Sequence, residues 1–149
     1  MAEADFEGVA IVEHPFKNLR LRGLYSDRVI TINSSIEASN IEKICIIAEE
    51  LGHHHTSIGN ILDQKDIRNR KQELRARRWA HEYLVPLEGI VEAFIAGVKG
   101  RYEIAEFLSV TEAFLQEAID RYTDRFGLCV KVDEYIVYFD PLCVGVMFE

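Results

Sequence analysis

The stretch Ala48-Glu49-Glu50-Leu51-Gly52-His53-His54-His55 concentrates groups able to hold a metal or move a proton. In a helix carrying H-E-x-x-H, ligands at i and i+4 lie on one face and meet one zinc ion, while the glutamate at i+1 activates a water on that ion. The corresponding residues here are Glu49, Glu50 and His53. Glutamate stands in place of the first histidine, and since a carboxylate is itself a zinc ligand the pattern is altered rather than destroyed. Taken alone, a Glu and a His four residues apart also suit a solvated helix face, and Glu50 also suits a salt bridge to a basic helix. His54 and His55 lie about 100° and 200° further round a helix than His53, so they read as surface or supporting residues. A histidine-rich tract also binds metal adventitiously. Cys45, one turn before Glu49, reads as an apolar helix position.

These groups need helices to position them. Ser39 or Asn40 is the expected N-cap of a first helix running to about His55. Its expected apolar face is Ile41, Ile44, Cys45, Ala48, Leu51 and Gly52. Thr56–Asp66 reads as a loop. A second helix is expected from near Asn69 to Tyr83 or Leu84, stopped by Pro86, with Leu74, Trp79, Ala80, Tyr83 and Leu84 available to the core. A third spans about Glu88–Val98. Before the first helix, VAIVE (9–13), LRLRG (19–23) and VITIN (29–33) read as strands, with a hairpin turn within Leu24–Arg28. VITIN is the candidate edge for an extended peptide to join. After the third helix, Tyr102–Phe126 reads as two helices joined at Ser109–Val110, with Thr111 as N-cap. Tyr135–Phe139 and Cys143–Phe148 then read as strands.

Composition narrows the function classes. The chain has 149 residues, 48% hydrophobic and 28% charged, which suits one folded domain with a real core. No apolar run approaches the ~18–20 residues of a membrane span, and the acidic start lacks a secretory n-region. Cys45, Cys129 and Cys143 are odd in number and show no C-x-x-C spacing, which points to reduced thiols in a cytoplasm. A net charge of −8 opposes nonspecific nucleic-acid binding. The helical pair has a helix-turn-helix cadence, but its second helix presents Glu112, Gln116, Glu117 and Asp120, which repel phosphates. Residues 65–78 instead hold seven basic residues against Asp66 and Glu73, while residues 110–149 hold three basic against eight acidic ones. That basic helix reads as a solvated face paired with the acidic C-terminal part, or as a docking surface for an acidic partner.

A glutamate in E-x-x-A-[DN] on a following helix supplies the third ligand of gluzincin-type peptidases. Glu73-Leu74-Arg75-Ala76-Arg77 fits it, with Arg77 at the Asp/Asn position. Trp79-Ala80 and Leu84-Val85-Pro86 continue the pattern. With Ala48–His53, Thr56–Asp63, Lys71–Trp79 and Tyr102–Leu108, the sequence resembles the ImmA/IrrE family of metallopeptidases, most of all the branch carried by prophages and mobile elements of Gram-positive bacteria. The resemblance spans about Gly23 to Pro141. It implies a cytoplasmic, zinc-dependent endopeptidase that cleaves or inactivates a repressor encoded nearby. Residue by residue, it implies Glu50 as catalytic base, His53 and Glu73 as metal ligands, and Glu49 at the first ligand position. Arg77 stands where an Asp or Asn would orient a ligand. His81, two turns beyond Glu73, is the rival ligand, with packing as its other reading.

The expected fold is α+β: a small N-terminal sheet on a zincin-like helical core (1–100), then a helical hairpin and a C-terminal β arm (101–149), in a single domain. The expected function is a zinc endopeptidase acting on a phage or mobile-element repressor. The alternative is a non-catalytic, anti-repressor-like binder that keeps the fold around a degenerate metal site. Neither reading involves a membrane or direct nucleic-acid binding.

Overall fold

The computed structural model describes residues 8–56 and 70–147. The expected loop beyond Thr56, the start of the second helix, Lys65, Arg68 and Phe148 lie outside the described residues. The fold is α+β, and the chain divides into two compact units, Met1–Ala80 and His81–Glu149.

In the first unit, β1 (Ala10–His14), β2 (Gly23–Ser26) and β3 (Val29–Asn33) form a sheet of order β1-β3-β2. β1 runs parallel to β3, with Ala10 opposite Val29, and β2 antiparallel, with Gly23 opposite Ile32. The β2–β3 turn is Asp27-Arg28, whose φ angles of 49° and 66° match the twist of a two-residue hairpin. Ile30 and Ile32 alternate on β3 and are buried, Ile30 in a cluster with Val9 and Leu51. β3 is therefore the central strand, not the expected edge; the edges are β1 and β2.

LRLRG does not form the expected strand, which starts only at Gly23. The reason is Asn33, which is 2% exposed. Its Oδ1 accepts from the amides of Phe16 and Ser35, both at 2.9 Å, and its Nδ2 donates to the carbonyl of Leu21 at 2.8 Å. That clip ties the Phe16 amide and the Leu21 carbonyl to one side chain in place of a ladder.

α1 (Asn40–Thr56) opens on a reciprocal capping box: the Glu42 amide donates to Ser39 Oγ and the Ser39 amide to Glu42 Oε1. Its buried residues are Cys45, Ile46, Ala48, Glu50, Leu51, Gly52 and His53, whereas Ile41 and Ile44 are exposed. The face is rotated from the expected one because β2 packs on the Ile46–Glu50 side. A Cβ on Gly23 would lie 2.7 Å from Ile46 Cγ2 and 3.3 Å from Glu50 Cγ. α2 (Arg70–Leu84) buries Ala76 and Ala80, while Leu74 and Tyr83 are exposed, contrary to expectation. Small residues take the inner face because α2 meets α1 backbone to backbone at Gly52. A Cβ there would strike the Ala76 carbonyl.

In the second unit, α3 (Leu87–Ile95), α4 (Arg101–Leu108) and α5 (Glu112–Phe126) precede an antiparallel sheet of β4 (Cys129–Val132), β5 (Tyr135–Phe139) and β6 (Leu142–Val146), in the order β4-β5-β6. α3 stops before the expected Val98 because Gly97, at φ 85°, closes it with the Val98 amide on the Ala93 carbonyl. α4 ends the same way, with Ser109 left-handed and the Val110 amide on Ala105. Thr111 then caps α5, accepting from the Phe114 amide at 3.0 Å. Phe114, Leu115, Ala118, Ile119 and Tyr122 are buried on α5, leaving Glu112, Glu117 and Asp120 exposed. β4 escaped the sequence reading: Lys131 breaks a four-residue strand too short to show a period.

Candidate active site

α1 is one continuous helix from Asn40 to Thr56, so Glu49 and His53 lie one turn apart on the same side. Glu50 lies about 100° round from Glu49 and about 60° from His53, toward β2. Glu50 and His53 are 7% and 6% exposed; Glu49 is half-buried. Glu73 reaches across from α2, and its Oε2 stands 3.4 Å from His53 Nε2. The Gly52–Ala76 contact makes this possible. It brings the two helix backbones together one residue before His53 and one turn after Glu73.

The structure thus brings His53 and Glu73 together and keeps Glu50 buried beside the sheet edge at Gly23. Glu49 sits a turn before His53. Among the described residues, no group of three or more His, Cys, Asp or Glu is drawn together tightly enough to stand as a metal cluster. The His53–Glu73 pair nonetheless fits zinc. Two ligands on bonds of ~2.0–2.2 Å at a tetrahedral angle stand about 3.4 Å apart, which is the separation observed. An imidazole nitrogen and a carboxylate oxygen are also the right donor chemistry. Glu49, expected at the first ligand position, shares the i, i+4 side of α1 with His53.

The neighbouring histidines are engaged elsewhere. His54 Nδ1 lies 2.7 Å from Tyr25 Oη, which also accepts from the Arg28 amide at 3.2 Å. His55 stacks on Trp79, with ring centroids 4.5 Å apart and planes 16° apart. Trp79 is therefore half-buried under a histidine as well as packed on the core. The Thr56 hydroxyl donates to the Gly52 carbonyl at 2.7 Å and finishes the helix. Tyr25 and Gly23 were not legible as site residues, since only the hairpin register brings β2 against α1.

Arg77 is exposed, as are Arg70, Lys71, Arg75 and Arg78 on the same helix. Among the described residues, none of these five forms an ion pair. Arg77 therefore does not orient a ligand by an ion pair with a described residue. His81 belongs to the second unit. It is 2% exposed, accepts at Nδ1 from Arg121 Nε at 3.3 Å, holds Nε2 3.4 Å from Glu117 Oε1, and meets the Phe114 ring edge-on. This is the packing role.

Among the described residues, no helix is long and apolar enough to cross a membrane. The sequence profile of a peptidase family, described as the IrrE N-terminal-like domain, matches residues 4–120. Neither a curated protein nor a solved structure matches the chain.

Proposed function

The chain belongs to the peptidase family described as the IrrE N-terminal-like domain, a metallopeptidase-type family, and on that premise we propose that it is a zinc-dependent endopeptidase whose substrate is a transcriptional repressor. The observation that carries the proposal is the 3.4 Å approach of Glu73 to His53 across two helices. It supports a metal site, because zinc ligands from separate helices must converge in this way. The repressor as substrate rests on the family resemblance.

Glu49, His53 and Glu73 are the residues to hold the ion. Zinc, when bound, supplies Lewis acidity toward water and the peptide carbonyl. The chain's own residues do the rest. A carboxylate oxygen of Glu50 takes a proton from the attacking water and returns it to the departing amine nitrogen. Glu50 is buried, with its Cγ packed toward Gly23 of β2. Among the described residues β2 pairs with β3 alone, and its other edge is the one to which an extended peptide would add by main-chain hydrogen bonds.

The test is incubation with the neighbouring repressor, followed by mass spectrometry for a single cut and calorimetry for binding. Glu50→Gln removes the base but no ligand, so cleavage should fall by about 10²–10⁴-fold while zinc and partner binding survive. His53→Ala should lose both metal and cleavage. The presence of Glu49 where the family pattern has histidine favours a second reading, a non-catalytic binder that sequesters the repressor. In that case the partner stays intact, and both variants inactivate it as well as the parent does.

A further inference from the structure

Arg70 and Arg77 stand three residues before and four after Glu73, so they rise from the same side of α2, one turn on either side of the carboxylate that meets His53. Both are exposed, and neither forms an ion pair with a described residue. Among the described residues of α2, the acid spaced to neutralise them is Glu73, and its Oε2 is turned to His53. Two exposed arginines therefore flank the Glu73 position along the helix, on a chain whose net charge is −8. A guanidinium is a rigid planar fork suited to gripping a carboxylate in two hydrogen bonds.

Resting on the peptidase reading, we infer that Arg70 and Arg77 make the enzyme selective for polypeptides with an acidic side chain close to the scissile bond. Each arginine is about 4.5–6 Å along the helix from Glu73. An extended peptide advances about 3.3 Å per residue, so the selected acid falls within about three residues of the cut. A polypeptide fits better than a nucleic acid. The family is a peptidase family, and a net charge of −8 repels a long polyanion while leaving a single carboxylate attracted locally.

The experiment digests a proteome-derived peptide library with the zinc-loaded full chain and reads the new ends by mass spectrometry. Asp or Glu should be enriched within three residues of the cuts, and Arg70→Gln/Arg77→Gln should abolish the enrichment. On one acidic peptide so found, the double variant should raise KM by about tenfold with kcat little changed, as expected for losing charge-assisted hydrogen bonds. The matched Asp→Asn peptide should not distinguish the two enzymes. Cuts without acidic enrichment, or the same enrichment in the double variant, overturn the inference. If no peptide is cut, the peptidase reading fails, and acid recognition is read by binding instead. A labelled peptide of alternating Glu and Gly should bind the wild type at least about tenfold more tightly than its Gln counterpart, and the double variant should lose that preference. Equal binding of a single-stranded oligonucleotide of the same charge overturns the inference in favour of nucleic acid. Lys71→Gln/Arg75→Gln/Arg78→Gln lies on other sides of the helix and should have the smaller effect; a larger one overturns the assignment. Should the double variant melt early, the two single variants carry the same test.

Discussion

At the residue scale, the environment of a side chain decides what it does. His53 and His81 are both buried histidines. One faces a carboxylate from a second helix, and the other is wedged between Arg121, Glu117 and Phe114. Tyr122 shows the same dependence in the second unit. Its hydroxyl donates to the Val85 carbonyl at 2.8 Å. Burial first, then the charges of Glu82 and Glu88, push its pKa well above the ordinary value of 10. The folded state therefore holds the proton where the unfolded state releases it. Stability from this group is complete below pH ~10 and is lost as pH rises from there toward the raised folded value. Tyr122→Phe should cost about 1 kcal/mol at neutral pH through the lost hydrogen bond. It should also flatten the fall in stability above pH ~10, measured by urea unfolding at several pH values. An equal alkaline slope in both proteins contradicts this.

At the element scale, His53 and Glu73 meet because two helices approach at their smallest residues. Gly52→Ala places a methyl group against the Ala76 carbonyl. The helix gains up to ~1 kcal/mol in propensity, but overpacking against backbone costs about 1–3 kcal/mol. The net effect should be a lower Tm. Zinc affinity should fall as well, because Ala76 carries Glu73 away with it. A Gly52→Ala protein with unchanged zinc binding would separate the close approach from the site. On the outer face of α2, Lys71, Arg75 and Arg78 stand at i, i+4 and i+3 spacings with like charges. Arg75→Glu converts both repulsions into attractions and should stabilise the protein by about 0.5–1 kcal/mol at low salt, an effect that fades with added salt. A thermal melt with and without salt reads it directly.

At the scale of the whole molecule, the sequence made legible what short-range physics controls. The Ser39 and Thr111 caps, the α4–α5 turn, VITIN, and the helical spacing of Glu49, Glu50 and His53 all follow from neighbouring residues. What was misread depends on long-range contacts. LRLRG has a strand's alternation but is held as a loop by Asn33, and Ile41 and Ile44 have a core periodicity but sit outside because β2 covers the adjacent side of α1. Tyr25 and Gly23 reach the site only through hairpin register. The family match ends at residue 120, within α5, so β4, β5 and β6 lie beyond it. Binding of zinc to the folded state alone should raise stability by about 2.7 kcal/mol at 100 times Kd. A chelator should therefore lower the Tm, and His53→Ala should be insensitive to it.

Which atoms hold the ion is measured by X-ray absorption at the zinc edge of the loaded protein. One imidazole nitrogen and otherwise oxygen donors, at ~2.0–2.2 Å and with no sulfur at ~2.3 Å, is the predicted shell, with the imidazole signature lost in His53→Ala. Two or three imidazoles would assign the metal to the His53-His54-His55 tract instead, and that result, or a sulfur ligand, would contradict a site built from Glu49, His53 and Glu73.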